Sequence, residues 1–329
     1  MRPSLTERLL EIKNLYVGYK TYMGTSKVLD GVYLSVDTGE KVGLIGESGC
    51  GKTTTMKAIL RILPTNAVLQ SGEISFGGKD ILKMGKSELN ELRRKRIAMI
   101  FQDPTAALNP VFKVETQLAD IIKFSSAHES EETEEIRAKR IRLLKEVALP
   151  DPERVLDSYP FQLSGGMRQR VCIATALATH RQLLIADEPT TNLDVTIQDQ
   201  VLRLIKDIVE KRKLSVILIS HALGAVRGFV DKVCTMYAGE IVEVAETEKL
   251  FSDPLHPYTK GLLESTPRLT GGGFSEGIMG RVPDYINPPQ GCRFHPRCNY
   301  SLDICKKEKP PIIDSEGNHS VTCWLYYKK

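Results

Sequence analysis

The segment Gly46-Glu-Ser-Gly-Cys-Gly-Lys52-Thr53 constrains the fold more than any other part of the chain. It fits the spacing G-x-x-x-x-G-K-[ST] without a gap. Before it, Lys41-Val-Gly-Leu-Ile45 has the pattern of a short buried strand, and after it Thr53-Thr-Thr-Met-Lys-Ala-Ile-Leu60 has that of a helix. A glycine loop carried from a strand to a helix start predicts an α/β core with parallel strands. The glycines let the backbone wrap nucleotide phosphates, so that N–H groups of Gly46, Ser48, Gly49, Cys50 and Gly51 point inward and the helix dipole lies under the same anion. Lys52 then neutralises β- and γ-phosphate oxygens, Thr53 ligates Mg²⁺ through its hydroxyl, and Thr54 completes the cradle.

Leu183-Leu-Ile-Ala186 predicts a second buried strand that delivers Asp187 and Glu188 at its carboxyl end, where open α/β sheets bind ligands. Asp187 is the expected Mg²⁺ ligand. Glu188 is the expected base for an attacking water. An acidic pair ending a strand is weak evidence alone, but Pro189-Thr-Thr-Asn-Leu193-Asp194 continues it in the pattern of a nucleotide enzyme.

Leu163-Ser164-Gly165-Gly166-Met167-Arg168-Gln169 discriminates among nucleotide enzymes, many of which lack it. Ser164 reads as a helix N-cap, Gly165 and Gly166 admit a phosphate close to the backbone, and a helix from about Met167 presents its dipole. Lys52 already serves the chain's own phosphates, so this second anion site implies a partner subunit, packed head to tail, with each Ser164 segment over the ATP of the other.

On these motifs the chain resembles the ATP-binding subunits of the bacterial dipeptide and oligopeptide importers, a group whose close relatives serve nickel uptake. Phe101-Gln-Asp-Pro104, Leu108-Asn-Pro110, Ala186-Asp-Glu-Pro-Thr-Thr191, His256-Pro-Tyr258 and the C-terminal cysteines carry the resemblance over essentially the whole length. It implies an ABC-type P-loop ATPase core with an antiparallel β subdomain and an α-helical subdomain, plus a small cysteine-rich C-terminal appendix. It also implies ATP hydrolysis that energises import of dipeptides or short oligopeptides. By the same resemblance Gln102 senses Mg²⁺ and the permease, Asp194 is the D-loop aspartate, His221 touches the γ-phosphate, and Tyr19 stacks on adenine, with Tyr22 as second candidate. Each has a plainer structural alternative: His221 as a cap after the strand Leu214–Ser220, Gln102 as a loop amide, Tyr19 as a packing aromatic. Ala222 stands where relatives usually carry an aspartate, which bears on the orientation of His221, and Asn192 replaces a smaller residue.

The implied partners are a second cassette, identical or paralogous, two transmembrane permease subunits and, indirectly, an extracellular substrate-binding protein. Competing functions are import of nickel or another substrate, a soluble non-transport ABC ATPase, and a regulatory iron–sulfur protein. Forty-five basic against 41 acidic residues leave a net charge of +4, and no dense basic strip suggests nucleic acid as a partner. No stretch approaches about 18 consecutive apolar residues, and Met1-Arg-Pro-Ser-Leu-Thr-Glu-Arg8 lacks a signal-peptide core. The expected location is therefore the cytoplasmic face of the cell membrane, peripherally held by partners.

The expected organisation is a cassette over residues 1–250 and an extension over 251–329. Strands at 11–16 and 73–76 belong to the antiparallel part, and a helical subdomain runs over about 86–160, in which the charged stretch Glu129–Glu146 reads as a solvated helix face with Ile136, Ile141, Leu143 and Leu144 as its apolar side. Strands at 183–187 and 214–220 and a hairpin over 232–245 follow, with a docking helix Tyr258–Glu264 and a flexible link at 270–274.

Cys292, Cys298, Cys305 and Cys323 are spaced C-x5-C-x6-C-x17-C in a tail poor in aliphatic residues, which predicts that something staples it. A cytosolic compartment argues against disulfides. Zinc sites usually draw on a tighter C-x2-4-C pair, so the wide spacing favours a [4Fe–4S] cluster, as does the resemblance, with Zn²⁺ as the alternative. Cys50, Cys172 and Cys234 read as packing or loop residues.

Overall fold

The computed structural model describes residues 7–125, 133–191, 193–265, 277–315 and 317–327. Asn192, the link at 270–274 and the first residues of the charged stretch lie outside the described residues. The chain forms two compact units, residues 1–84 with 220–329 and residues 85–219.

In the first unit, Gly24–Asp37, Arg8–Thr21, Ala67–Phe76 and Lys79–Asp80 make a four-stranded antiparallel sheet in that order. Leu10 and Ile12 face inward, and so do Leu15 and Val17, although a strand alternates with a period of two. The change of parity is a bulge: pairing shifts between Ile12 and Leu15, and Asn14 takes a φ of 52°. Gly72 faces this bulge at φ +115°, and a Cβ there would lie 2.6 Å from Leu15 Cα.

A second set of strands carries the phosphate loop. Ile313–Ser315, His319–Val321, Glu240–Glu246 and Lys232–Tyr237 are antiparallel neighbours in that order, and Lys41–Ile45 then runs parallel to Lys232–Tyr237. The tail is therefore not the separate appendix expected from its composition. It supplies two strands of this sheet, and Phe294 joins Tyr237, Val242 and Tyr258 in one buried cluster. The Tyr237 ring lies 4.6 Å from Tyr258 and 5.0 Å from Phe294. Burying Phe294 contributes roughly 1.5–3 kcal/mol, so the tail has an apolar anchor without any staple.

The docking helix runs Pro257–Glu264, with proline at its first position and the buried His256 Nδ1 accepting from Tyr258 N at 3.0 Å.

In the second unit, Ile97–Ile100, Leu183–Asp187 and Ser215–Ile219 pair in parallel. The last two are buried at every residue, as strands covered on both faces must be. Ile97–Ile100 falls inside the stretch expected to be helical: four apolar residues between charged helix ends are too short for periodicity to identify. Around it lie the helices Lys86–Lys95, Val114–Ser125, Thr133–Glu146 and Pro152–Asp157. The charged helix is not simply a solvated face, because Arg140 is buried and pairs with Glu115 at 3.0 Å. Leu143 and Leu144 are buried as expected, while Ile141 is only half-buried.

Candidate nucleotide site

The phosphate loop lies in the first unit, between Lys41–Ile45 and the helix Lys52–Ile59. Gly46, Gly49 and Gly51 have φ of +150°, +81° and +110°. At Gly46 a Cβ would fall 2.2 Å from Met236 O, so only glycine fits. Gly51 precedes the helix and gives it no side-chain cap, which leaves the first-turn N–H groups to other acceptors. Lys52 is 5% exposed, and its Nζ donates to Gly46 O at 2.8 Å and Glu47 O at 2.9 Å. This places the ammonium against the inner wall of the loop. Cys50 is buried beside it, and burial pushes its thiol upward despite the nearby lysine.

Tyr19 OH lies 3.2 Å from Thr54 Oγ1, whereas Tyr22 is fully exposed. His221 is exposed, one residue before the N-cap Ala222 of the helix Leu223–Arg227. Ala222 offers that helix no side-chain cap, and Ser220 Oγ instead accepts from Ala222 N at 3.1 Å.

Three contacts with the loop come from residues to which sequence reasoning gave no such role. Tyr258 OH accepts from Glu47 N at 2.8 Å, Tyr285 OH donates to Gly49 O at 2.7 Å, and Arg297 donates to both Glu47 carboxylate oxygens at 2.7 and 3.0 Å. No local pattern announces contacts that span more than 200 positions. In the sequence Arg297 adjoins Cys298 and belongs to none of the nucleotide motifs.

In the second unit, Asp187 ends its strand 2% exposed, and Glu188 follows at φ 48° with its N–H on Ile219 O. That left-handed backbone turns the side chain away from the strand direction. Gln102, just past Ile97–Ile100, donates to Glu188 Oε2 at 2.7 Å, and Thr191 Oγ1 donates to the same oxygen at 3.0 Å. Ser164 caps the helix Gly165–Ala176, accepting from Met167 N at 3.3 Å. The helix thus begins at Gly165, two residues before the expected start. Asp194 precedes the helix Val195–Arg212 and makes no capping bond to it.

The four tail cysteines line one cavity of about 10 Å³. Burial pushes Cys292 up to about 12 and Cys323 up to about 11. Among the described residues, however, no three His, Cys, Asp or Glu side chains form a group that could hold a metal ion. The packed thiols do not fit the expected metal site as they stand. All seven cysteines are free, and Cys50, Cys172 and Cys234 are buried.

The fold of both units, the glycine cradle and the Glu188 segment define an ABC-type ATPase cassette. Residues 29–191 match the family described as ABC transporter, and residues 242–305 match the family described as oligopeptide/dipeptide transporter, C-terminal region. The oligopeptide transport ATP-binding protein OppD of Bacillus subtilis is 44% identical, with 97% of this chain and 89% of that protein covered. The dipeptide transport ATP-binding protein DppD of the same organism is 43% identical, with 97% and 95% covered. The chain belongs to this family of peptide-transporter ATP-binding subunits. A dimeric, post-hydrolysis structure of the ATP-binding cassette MJ0796 with ADP and Pi is similar with a TM-score of 0.66 and 27% identity, covering 73% of this chain and 99% of that one.

Proposed function

We propose that this chain hydrolyses ATP to drive import of dipeptides or short oligopeptides through separate membrane subunits. The observation that carries the reading is the phosphate loop, in which Lys52 Nζ is held against Gly46 O and Glu47 O at the start of an uncapped helix. Gly46, Ser48, Gly49, Cys50, Gly51 and Thr54 bind phosphate there, with Thr53, Asp187 and Gln102 toward Mg²⁺. Tyr19 serves adenine and His221 the γ-phosphate. Glu188 takes the proton from water, aimed by Gln102 and Thr191. Ser164, Gly165, Gly166 and Asp194 act across a head-to-tail pair of cassettes, and the dimeric state of the MJ0796 cassette supports pairing.

The cassette extends over 1–250 and the transporter-type extension over 251–329. Among the described residues no helix is long and apolar enough to cross a membrane, and permease subunits supply that span. Exposed Phe101, Val111 and Phe112, flanking and following Gln102, support contact with a permease. The working location is the cytoplasmic face of the cell membrane. Isolating the complex from native membranes tests this: two permease subunits and a second cassette should accompany the chain. Recovery with ribosomes or DNA instead would overturn it.

The tail cysteines carry a finer proposal, a four-iron cluster with zinc as the alternative. Their spacing and their place around one cavity support it. Protein purified without oxygen should then be brown and contain about four irons and four sulfides per chain. Colourless protein holding one zinc decides for the alternative.

A further inference from the structure

The loop that holds phosphate is braced from the tail. Gly46, Gly49 and Gly51 all lie in the left-handed half of conformational space, where glycine is free to choose among several states. Fixing the backbone of a residue costs conformational entropy, and a loop already fixed spares the ligand that cost. Three groups fix this one: Tyr258 OH at Glu47 N, Tyr285 OH at Gly49 O, and the Arg297 fork on the Glu47 carboxylate.

Arg297 is itself immobilised. Its side chain is 5% exposed, Nε donates to Met279 O at 2.9 Å, Nη2 donates also to Ile278 O at 3.1 Å, and the guanidinium carbon stands 5.7 Å from the centre of the Tyr237 ring. A planar fork with its remaining donors occupied accepts one carboxylate position, which lysine cannot reproduce. Glu47 is the second residue of the loop, and its carbonyl also receives Lys52 Nζ. The chain of contacts therefore runs from the tail, through Glu47, to the ammonium that faces phosphate.

We infer that Arg297 is a positioning residue for nucleotide binding, holding the phosphate loop in its binding-competent form through Glu47, with Tyr285 as a second brace at Gly49. The inference rests on the ATPase reading above and adds that the C-terminal extension takes part in ATP affinity.

The test measures ATP affinity of the purified full chain by calorimetry, alongside its melting temperature. Failure of the parent to bind ATP would sink the ATPase reading itself; the inference is judged on variants of a parent that binds. Arg297→Lys and Arg297→Met should each weaken ATP binding roughly ten-fold, a size typical of coupling between sites. Glu47→Gln should weaken it similarly, and the Glu47→Gln/Arg297→Met double variant should lose little more than either single one. Tyr326→Phe removes a tail hydrogen bond to Leu255 O, away from the loop, and should leave affinity unchanged. Affinity within two-fold of the parent in folded Arg297→Met, full additivity in the double variant, or an equal loss in Tyr326→Phe would each overturn the inference. Should Arg297→Met fail to fold, Arg297→Lys and Tyr285→Phe decide on the same criterion.

Discussion

Glu188 is held in an uncommon backbone conformation, φ 48°, and its Oε2 receives hydrogen bonds from Gln102 and Thr191. A carboxylate so held has one orientation to offer a water. Glu188→Gln keeps the shape and removes the base, so ATP hydrolysis should fall by roughly 10²–10⁴ while ATP still binds. Hydrolysis at the parent rate would remove that role. Lys52→Ala acts differently, because it takes away the ammonium that faces phosphate, and nucleotide affinity itself should drop. Equilibrium binding distinguishes the two variants. The placement of Lys52 at a helix start and of Asp187 at a strand end was legible in the sequence, because each lies in a contiguous motif whose spacing is its geometry. The Gln102–Glu188 bond was not, since 86 positions separate its partners.

Among elements, those with strong local signals match expectation: Lys41–Ile45, Leu183–Asp187, the hairpin strands Lys232–Tyr237 and Glu240–Glu246, and the helix after His256-Pro257. The strand Ile97–Ile100 and the strands of the tail escaped, because runs of three or four residues acquire their identity from the strand they pair with. The docking helix makes a pH prediction. Burial holds its N-cap His256 down to about 3, against an ordinary 6.5, with the Glu243 carboxylate accepting from the backbone N–H groups of Leu255 and His256. The unfolded chain takes up a proton that the folded one refuses, so this contribution to stability is full above pH 6.5 and declines as the pH falls toward 3. At pH 5 the loss is roughly 2 kcal/mol. His256→Asn keeps a capping acceptor without the titration. Between pH 7 and 5 the parent's melting temperature should therefore fall by more than that of the variant, and parallel curves would contradict the assignment.

At the scale of the whole molecule, the chain holds two helix starts suited to anions, the uncapped one at Lys52 and the one capped by Ser164, and the proposed head-to-tail dimer would use both on shared nucleotides. Ser164→Arg should abolish dimer-dependent hydrolysis without preventing ATP binding to the monomer. A mixed dimer of Ser164→Arg and Lys52→Ala subunits should recover part of the activity, since one composite site keeps an intact Lys52 and an intact partner Ser164; a mixed dimer that forms and stays inactive would contradict composite sites. Conversion of ATP hydrolysis into peptide import can be measured as peptide uptake into vesicles holding the complete complex, with the parent chain or Glu188→Gln. Uptake should depend on ATP with the parent, and both uptake and phosphate release should be lost with Glu188→Gln while ATP remains bound. Uptake that continues at the parent rate with Glu188→Gln would contradict that conversion.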